Sequence, residues 1–110
     1  MIRESLAAGS KFAFVHVTPS HGITFQRRTT TGGTTSQTNG GSGTAPVWLK
    51  LVRQSSTLTA YRSADGTTWS QISSAMVSMT STVYVGLAVT SHKDGTLATA
   101  LFDGVKISQP

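Results

Sequence analysis

The stretch Trp48–Trp69, WLKLVRQSSTLTAYRSADGTTW, decides the fold class. Its first part, Val47–Gln54, alternates: Leu49, Leu51 and Arg53 share one face, and Trp48, Lys50 and Val52 share the other. Strict alternation over such a length is the period of a half-buried strand. Ser55-Ser56 turns the chain, and Thr57–Ser63 alternates again, with Leu58, Ala60 and Arg62 against Thr59, Tyr61 and Ser63. Ala64-Asp65-Gly66 is a tight turn before a short strand expected over Thr67–Ser73. The pair reads as an antiparallel hairpin with an aliphatic face of Leu49, Leu51, Leu58 and Ala60. The other face is mixed, with Trp48, Lys50, Thr59 and Tyr61. A sheet of this kind packs on a core with the first face and shows the second.

The same pattern extends outward. Lys11–Val17 and Ile23–Thr29 are strands joined by a turn with Pro19 and Gly22, most simply a hairpin. Thr30–Pro46 has almost no apolar residue and reads as a polar loop, or a loop around a weak edge strand. Thr82–His92 sets Val85, Leu87 and Val89 against Tyr84, Gly86, Ala88 and Thr90. Thr96–Ser108 is expected to close the chain as a strand bent near Asp103-Gly104. A single helical turn is expected around Ser74–Met79 and no long helix anywhere. Short strands with regular turn signals predict an antiparallel β-sandwich. Its expected core is Leu49, Leu51, Leu58, Ala60, Val85, Leu87, Val89, Ala100 and Phe102.

Composition bounds the rest. The chain has 110 residues, enough for one domain, whole or partial, with a small core. Hydrophobic residues are 37%, so a packed fold is expected rather than disorder. There is no 18-residue apolar span, none of the chain reads as a signal peptide, and no membrane association is expected. Without cysteine there are no disulfides and no thiolate zinc sites. The net charge of +5 raises a nucleic-acid surface as a question. Only Arg27-Arg28 is a local cluster, however, and neighbours in a strand point to opposite faces, so nucleic acid is not the expected partner.

The run WLKLVR…TLTAYRSADGTTW, followed by TVYVGLAVTSH…GTLATALFDGVKI, resembles the concanavalin A-like lectin/glucanase superfamily. More narrowly it is similar to the laminin-G-like jelly-roll modules of large secreted bacterial proteins. MIRESL, at residues 1–6, sits in the middle of such a module, so the resemblance covers only its later part. It implies a jelly roll lacking some strands, an extracellular location within a larger bacterial protein, and carbohydrate binding on an exposed sheet face or its rim. Trp48, Lys50, Tyr61, Arg27, Thr90 and His92 are the glycan-binding candidates. Aromatic faces stack on apolar sugar faces, and Lys, Arg and His donors hold hydroxyls. The bland reading keeps Trp48 and Tyr61 as covers for a neighbour, and Trp69 as a core or corner residue.

Catalysis is not expected. Glycanases of this superfamily flank the scissile bond with two carboxylates. Here Glu4 is the only Glu, and Asp65, Asp94 and Asp103 all stand in Asp-Gly turns. No nucleophile elbow is present, and His16, His21 and His92 are too far apart in sequence to define a zinc site. No cofactor is expected. Calcium at Asp turns is a habit of related modules, but none of these turns carries a dense oxygen-ligand pattern. The alternative to a glycan-binding module is a structural or self-associating sandwich without ligand. Strands missing from the module would leave open edges, and a two-fold homodimer is the expected closure.

Overall fold

The computed structural model describes residues 1–91 and 93–109. Eight strands run in chain order as β1 (Ile2–Arg3), β2 (Phe12–Thr18), β3 (Gly22–Arg28), β4 (Ser36–Asn39), β5 (Trp48–Gln54), β6 (Thr57–Ser63), β7 (Ser70–Met76) and β8 (Tyr84–Val85). They form two antiparallel sheets, β4-β3-β2-β1-β8 and β5-β6-β7. No helix occurs among the described residues. The sheets face each other, with β5 against β2 and β7 against β3 and β4, as in a sandwich.

Both expected hairpins are present. Leu51 pairs with Ala60 and Lys50 with Tyr61, so the two faces of β5–β6 sort as the alternation requires. Leu58 and Ala60 are fully buried, and Leu51 packs against them. The five-stranded sheet contributes Ile2, Ala13 and Phe25, and the β7–β8 connection contributes Val77 and Met79. In the polar loop, the short exposed β4 is the weak edge strand.

Three expectations are corrected. The strand expected over Thr67–Ser73 starts later, because the turn consumes its first residues. The Asp65 carboxylate accepts the N–H groups of Thr67 and Thr68, both at 2.9 Å, and the Ser63 hydroxyl at 2.9 Å. Pairing therefore begins at Ser70. It then continues to Met76, where a helical turn was expected, because Met76 pairs with Thr57 and Val77 donates to the Ser56 carbonyl. Register slips once, between Ala60–Ser73 and Tyr61–Gln71, and the extra residue, Ile72, packs on the core.

The third correction is the largest. Val85, Leu87, Val89, Ala100 and Phe102 do not join the core; all are exposed. Among the described residues of the expected strand Thr82–His92 only Tyr84–Val85 forms, and Thr96–Ser108 forms none. A strand exists by pairing, and β8 meets only the two residues of β1.

The Asp65 turn makes a pH prediction. Its carboxyl lies well below the usual carboxylate range, held first by the Thr68 N–H, then by those of Thr67 and the Ser63 hydroxyl. The folded state thus binds fewer protons than the unfolded state in acid. The stabilisation is complete above the ordinary pKa of about 4 and is lost as pH falls below it. Thermal midpoints of Asp65→Ala should lie several degrees below the parent at pH 6, and the two should converge toward pH 2. A constant gap across that range contradicts this.

Candidate functional site

The two sheets present two outward faces. On the three-stranded sheet, Trp48, Lys50 and Tyr61 do share one face, as their phase requires. Their contacts are internal. The Lys50 ammonium lies 4.7 Å from the Tyr61 ring centroid and 4.4 Å from that of Trp69, a cation held between two π faces. The Trp48 ring lies against two turns. A Cβ at Gly66 would stand 2.8 Å from its Cε2, and one at Gly104 would stand 2.9 Å from its Cη2. Both glycines have positive φ, 80° and 61°. Trp48 thereby covers two of the three Asp-Gly turns, at Gly66 and Gly104, while remaining 42% exposed. Trp69, expected as a core or corner residue, is half-buried beneath Lys50 just before β7 and is not part of the core cluster.

Arg27 does not join this surface, which corrects its placement. It continues the phase of Ile23 and Phe25, the buried side of β3, and so points inward on the other sheet. Its guanidinium lies 5.4 Å from the Phe25 ring centroid and donates to Thr38 Oγ1 at 2.6 Å. Thr90 is exposed in the segment beyond β8. His92 lies outside the described residues.

The second face escaped the sequence reading. Register in the five-stranded sheet sorts its outward residues into rows. His16, Thr24 and Asn39 stand side by side on β2, β3 and β4. Phe14, Gln26 and Gln37 form the next row. The third row is Tyr84, Arg3, Phe12 and Arg28. The Phe14 and His16 rings contact at 4.9 Å between centroids, tilted by 33°, giving a contiguous aromatic pair. Burial lowers the His16 pKa from its usual value, so the ring is neutral at pH 7. Carboxamides of Gln26, Gln37 and Asn39 and the Thr24 hydroxyl border this patch. Phe12 is buried between Arg3 and Arg28, whose guanidinium carbons lie 5.6 and 5.3 Å from its centroid.

Two hollows adjoin the His16 end of this face. One, of about 310 Å³, is lined by His21, Thr24, Gln37 and Asn39. The other, of about 380 Å³, lies between the β2–β3 turn and the chain after β4, and shares His21 and Asn39 with the first. The turn is fixed by Thr18 Oγ1, which accepts the His21 N–H at 2.9 Å, and by Gly22 at φ 70°. The strand signals were legible in Phe12–Thr18 and Gly22–Arg28. The hairpin register, with Val15 opposite Phe25, was the further signal that places Phe14 and His16 outside.

The arginines are otherwise engaged. Arg3, Arg28, Arg53 and Arg62 donate to backbone carbonyls. Arg53 ties β5 to Met79 and Thr80, and Arg62 ties β6 to Gly40 and Ser42, each bond at 2.8 Å. Glu4 accepts the Thr80 N–H at 3.0 Å and pairs with Lys11 at 3.3 Å. Among the described residues no group of three His, Cys, Asp or Glu is placed to hold a metal. No helix of the described residues is long and apolar enough to cross a membrane. No family model, curated protein or solved structure matches the chain.

Proposed function

We propose that this chain is a non-catalytic carbohydrate-binding module of jelly-roll type. Its site is the outward face of the five-stranded sheet. The observation that carries the reading is the contiguous Phe14–His16 ring pair bordered by Thr24, Gln26, Gln37 and Asn39. A pyranose offers an apolar face of C–H groups and a rim of hydroxyls. Flat rings take the first, and carboxamides, which both donate and accept, take the second. The neutral His16 keeps the patch free of charge. The adjoining hollows extend the face toward His21, leaving room for a second sugar unit. This placement moves the site away from Trp48, Lys50 and Tyr61, whose rings and ammonium already serve one another and the Asp-Gly turns.

Absence of catalysis belongs to the same reading. Glu4 and Asp65 hold the fold together and do not face each other across a cleft. Because the arginines fasten loops, the net charge is not read as a nucleic-acid footprint. Resemblance to modules of secreted bacterial proteins supports an extracellular setting. A ligand-free structural module is the second reading, favoured by the aromatic residues of the three-stranded sheet being internally matched.

A glycan array on the purified chain, followed by calorimetric titration of the best hit, tests the proposal. Phe14→Ala and Gln26→Ala should each weaken binding roughly five- to tenfold, the worth of one ring contact or one hydrogen bond. Trp48→Ala should leave affinity within about twofold of the parent, below what one such bond contributes. Loss of binding in Trp48→Ala but not in Phe14→Ala would move the site to the other sheet. No binding across a broad array would leave the structural reading.

A further inference from the structure

The five-stranded sheet ends at β8, and β8 has an unpaired edge. Its continuation is already aligned on the β1 side: the Gly86 N–H donates to the Met1 carbonyl and the Met1 amine to the Gly86 carbonyl, both at 3.1 Å. In an antiparallel ladder the backbone groups of successive residues point to opposite sides. With Gly86 turned toward β1, the N–H and C=O groups of Val85 and Leu87 are directed to the open side. An extended continuation of β8 would carry the inward phase set by Val85 opposite Ile2 through Leu87 and Val89, which are 59% and 56% exposed. No residue from Gly66 to Ser91 carries a formal charge, so the edge lacks the lysines that usually guard one.

The sequence of this edge selects its occupant. Val85-Gly86-Leu87-Ala88-Val89 reads almost the same backwards. We infer that the edge pairs with the same edge of a second copy of this chain, antiparallel, about a two-fold axis at Leu87. In that register Leu87 faces Leu87 of the second copy, and Val85 faces Val89 on either side. Gly86 faces Ala88, so small residues meet on the outward face. The hydrogen-bonding sense agrees, because residues opposite one another across such an axis exchange both bonds through the groups that point away from β1. The two five-stranded sheets become one continuous sheet, and the unpaired edge disappears. An isologous contact of this kind closes with two copies. This inference is independent of the glycan reading.

The chain contains no cysteine, which makes the register directly testable. Residues paired across the axis have Cα atoms about 5.5 Å apart, within disulfide reach. Under mild oxidation Leu87→Cys should therefore give a covalent dimer. Val85→Cys should not, since the two copies of residue 85 would lie roughly 14 Å apart, four residues along the strand. The double variant Val85→Cys/Val89→Cys should cross-link again. Light scattering behind a sizing column should show the parent at twice the 11.5 kDa chain mass at tens of micromolar. Leu87→Lys should return it to a monomer with an unchanged circular dichroism spectrum. A monomeric parent overturns the inference, as does a dimer that survives Leu87→Lys or equal cross-linking of Leu87→Cys and Val85→Cys. If Leu87→Lys fails to fold, the cross-linking pattern decides alone.

Discussion

Phe25→Ala is expected to remove about 3–5 kcal/mol of stability, the range for deleting a buried aromatic ring. Phe25 is fully buried in the core shared by the two sheets. Its loss opens a cavity that neighbouring strands cannot fill without breaking their ladders. It also removes the ring beneath the Arg27 guanidinium, leaving that inward-pointing charge with less to pack on. A domain of this size has only about 5–15 kcal/mol in all, so the variant should lose a large share of its stability. Phe25→Leu keeps most of the volume and should cost much less. Urea titration followed by circular dichroism gives both numbers. Equal midpoints for the two variants would place Phe25 outside the packed interior.

Gly22→Ala is the second large effect. Gly22 sits at φ 70°, a conformation that costs a side-chain-bearing residue about 1–2 kcal/mol. A Cβ there would also stand 2.5 Å from the Gly41 carbonyl oxygen, a backbone atom that cannot rotate away. That oxygen accepts the Ile23 N–H at 3.0 Å, so relieving the clash breaks the bond that fastens the chain after β4 to β3. Gly32 has nearly the same φ, 72°, but nothing lies within 4 Å of its Cβ position. Gly32→Ala should therefore show the conformational cost alone. Gly22→Ala should exceed it by at least roughly 1 kcal/mol, the low end for forcing atoms into a packed site. Equal losses would show that the turn relaxes freely. Because Gly22 also lines the larger hollow, its variant should weaken any glycan bound there.

Sequence was most informative where an element carries its own partner. In β5 and β6 the alternation, the Ser55-Ser56 turn and the two faces could all be read, because the hairpin is local. The C-terminal third alternates just as well, yet beyond Val85 no strand forms among the described residues. Periodicity reports a capacity for pairing, and whether an edge is available depends on distant residues. The outward face of the five-stranded sheet was hidden for a related reason. Alternation alone leaves open which side of β2 is inward, and the register gives that side to Ala13 and Val15 rather than to Phe14 and His16. Phe25 and Ile23 fill the interior from β3, leaving only small or branched side chains a place opposite them. Arg27 follows Ile23 and Phe25 in phase, and those two residues face the interior. It sits on the inward phase and is tied to Thr38.

Amide chemical-shift mapping with the best-binding glycan tests the central claim most directly. Both tryptophans of the chain are associated with the three-stranded sheet, so their indole N–H signals report that face alone. The predicted result is saturable movement of the Phe14, His16, Thr24, Gln26, Gln37 and Asn39 amides, with the Trp48 and Trp69 indole signals unmoved. Shifts confined to the indoles and to β5 and β6, or no shift with any glycan, would contradict the account.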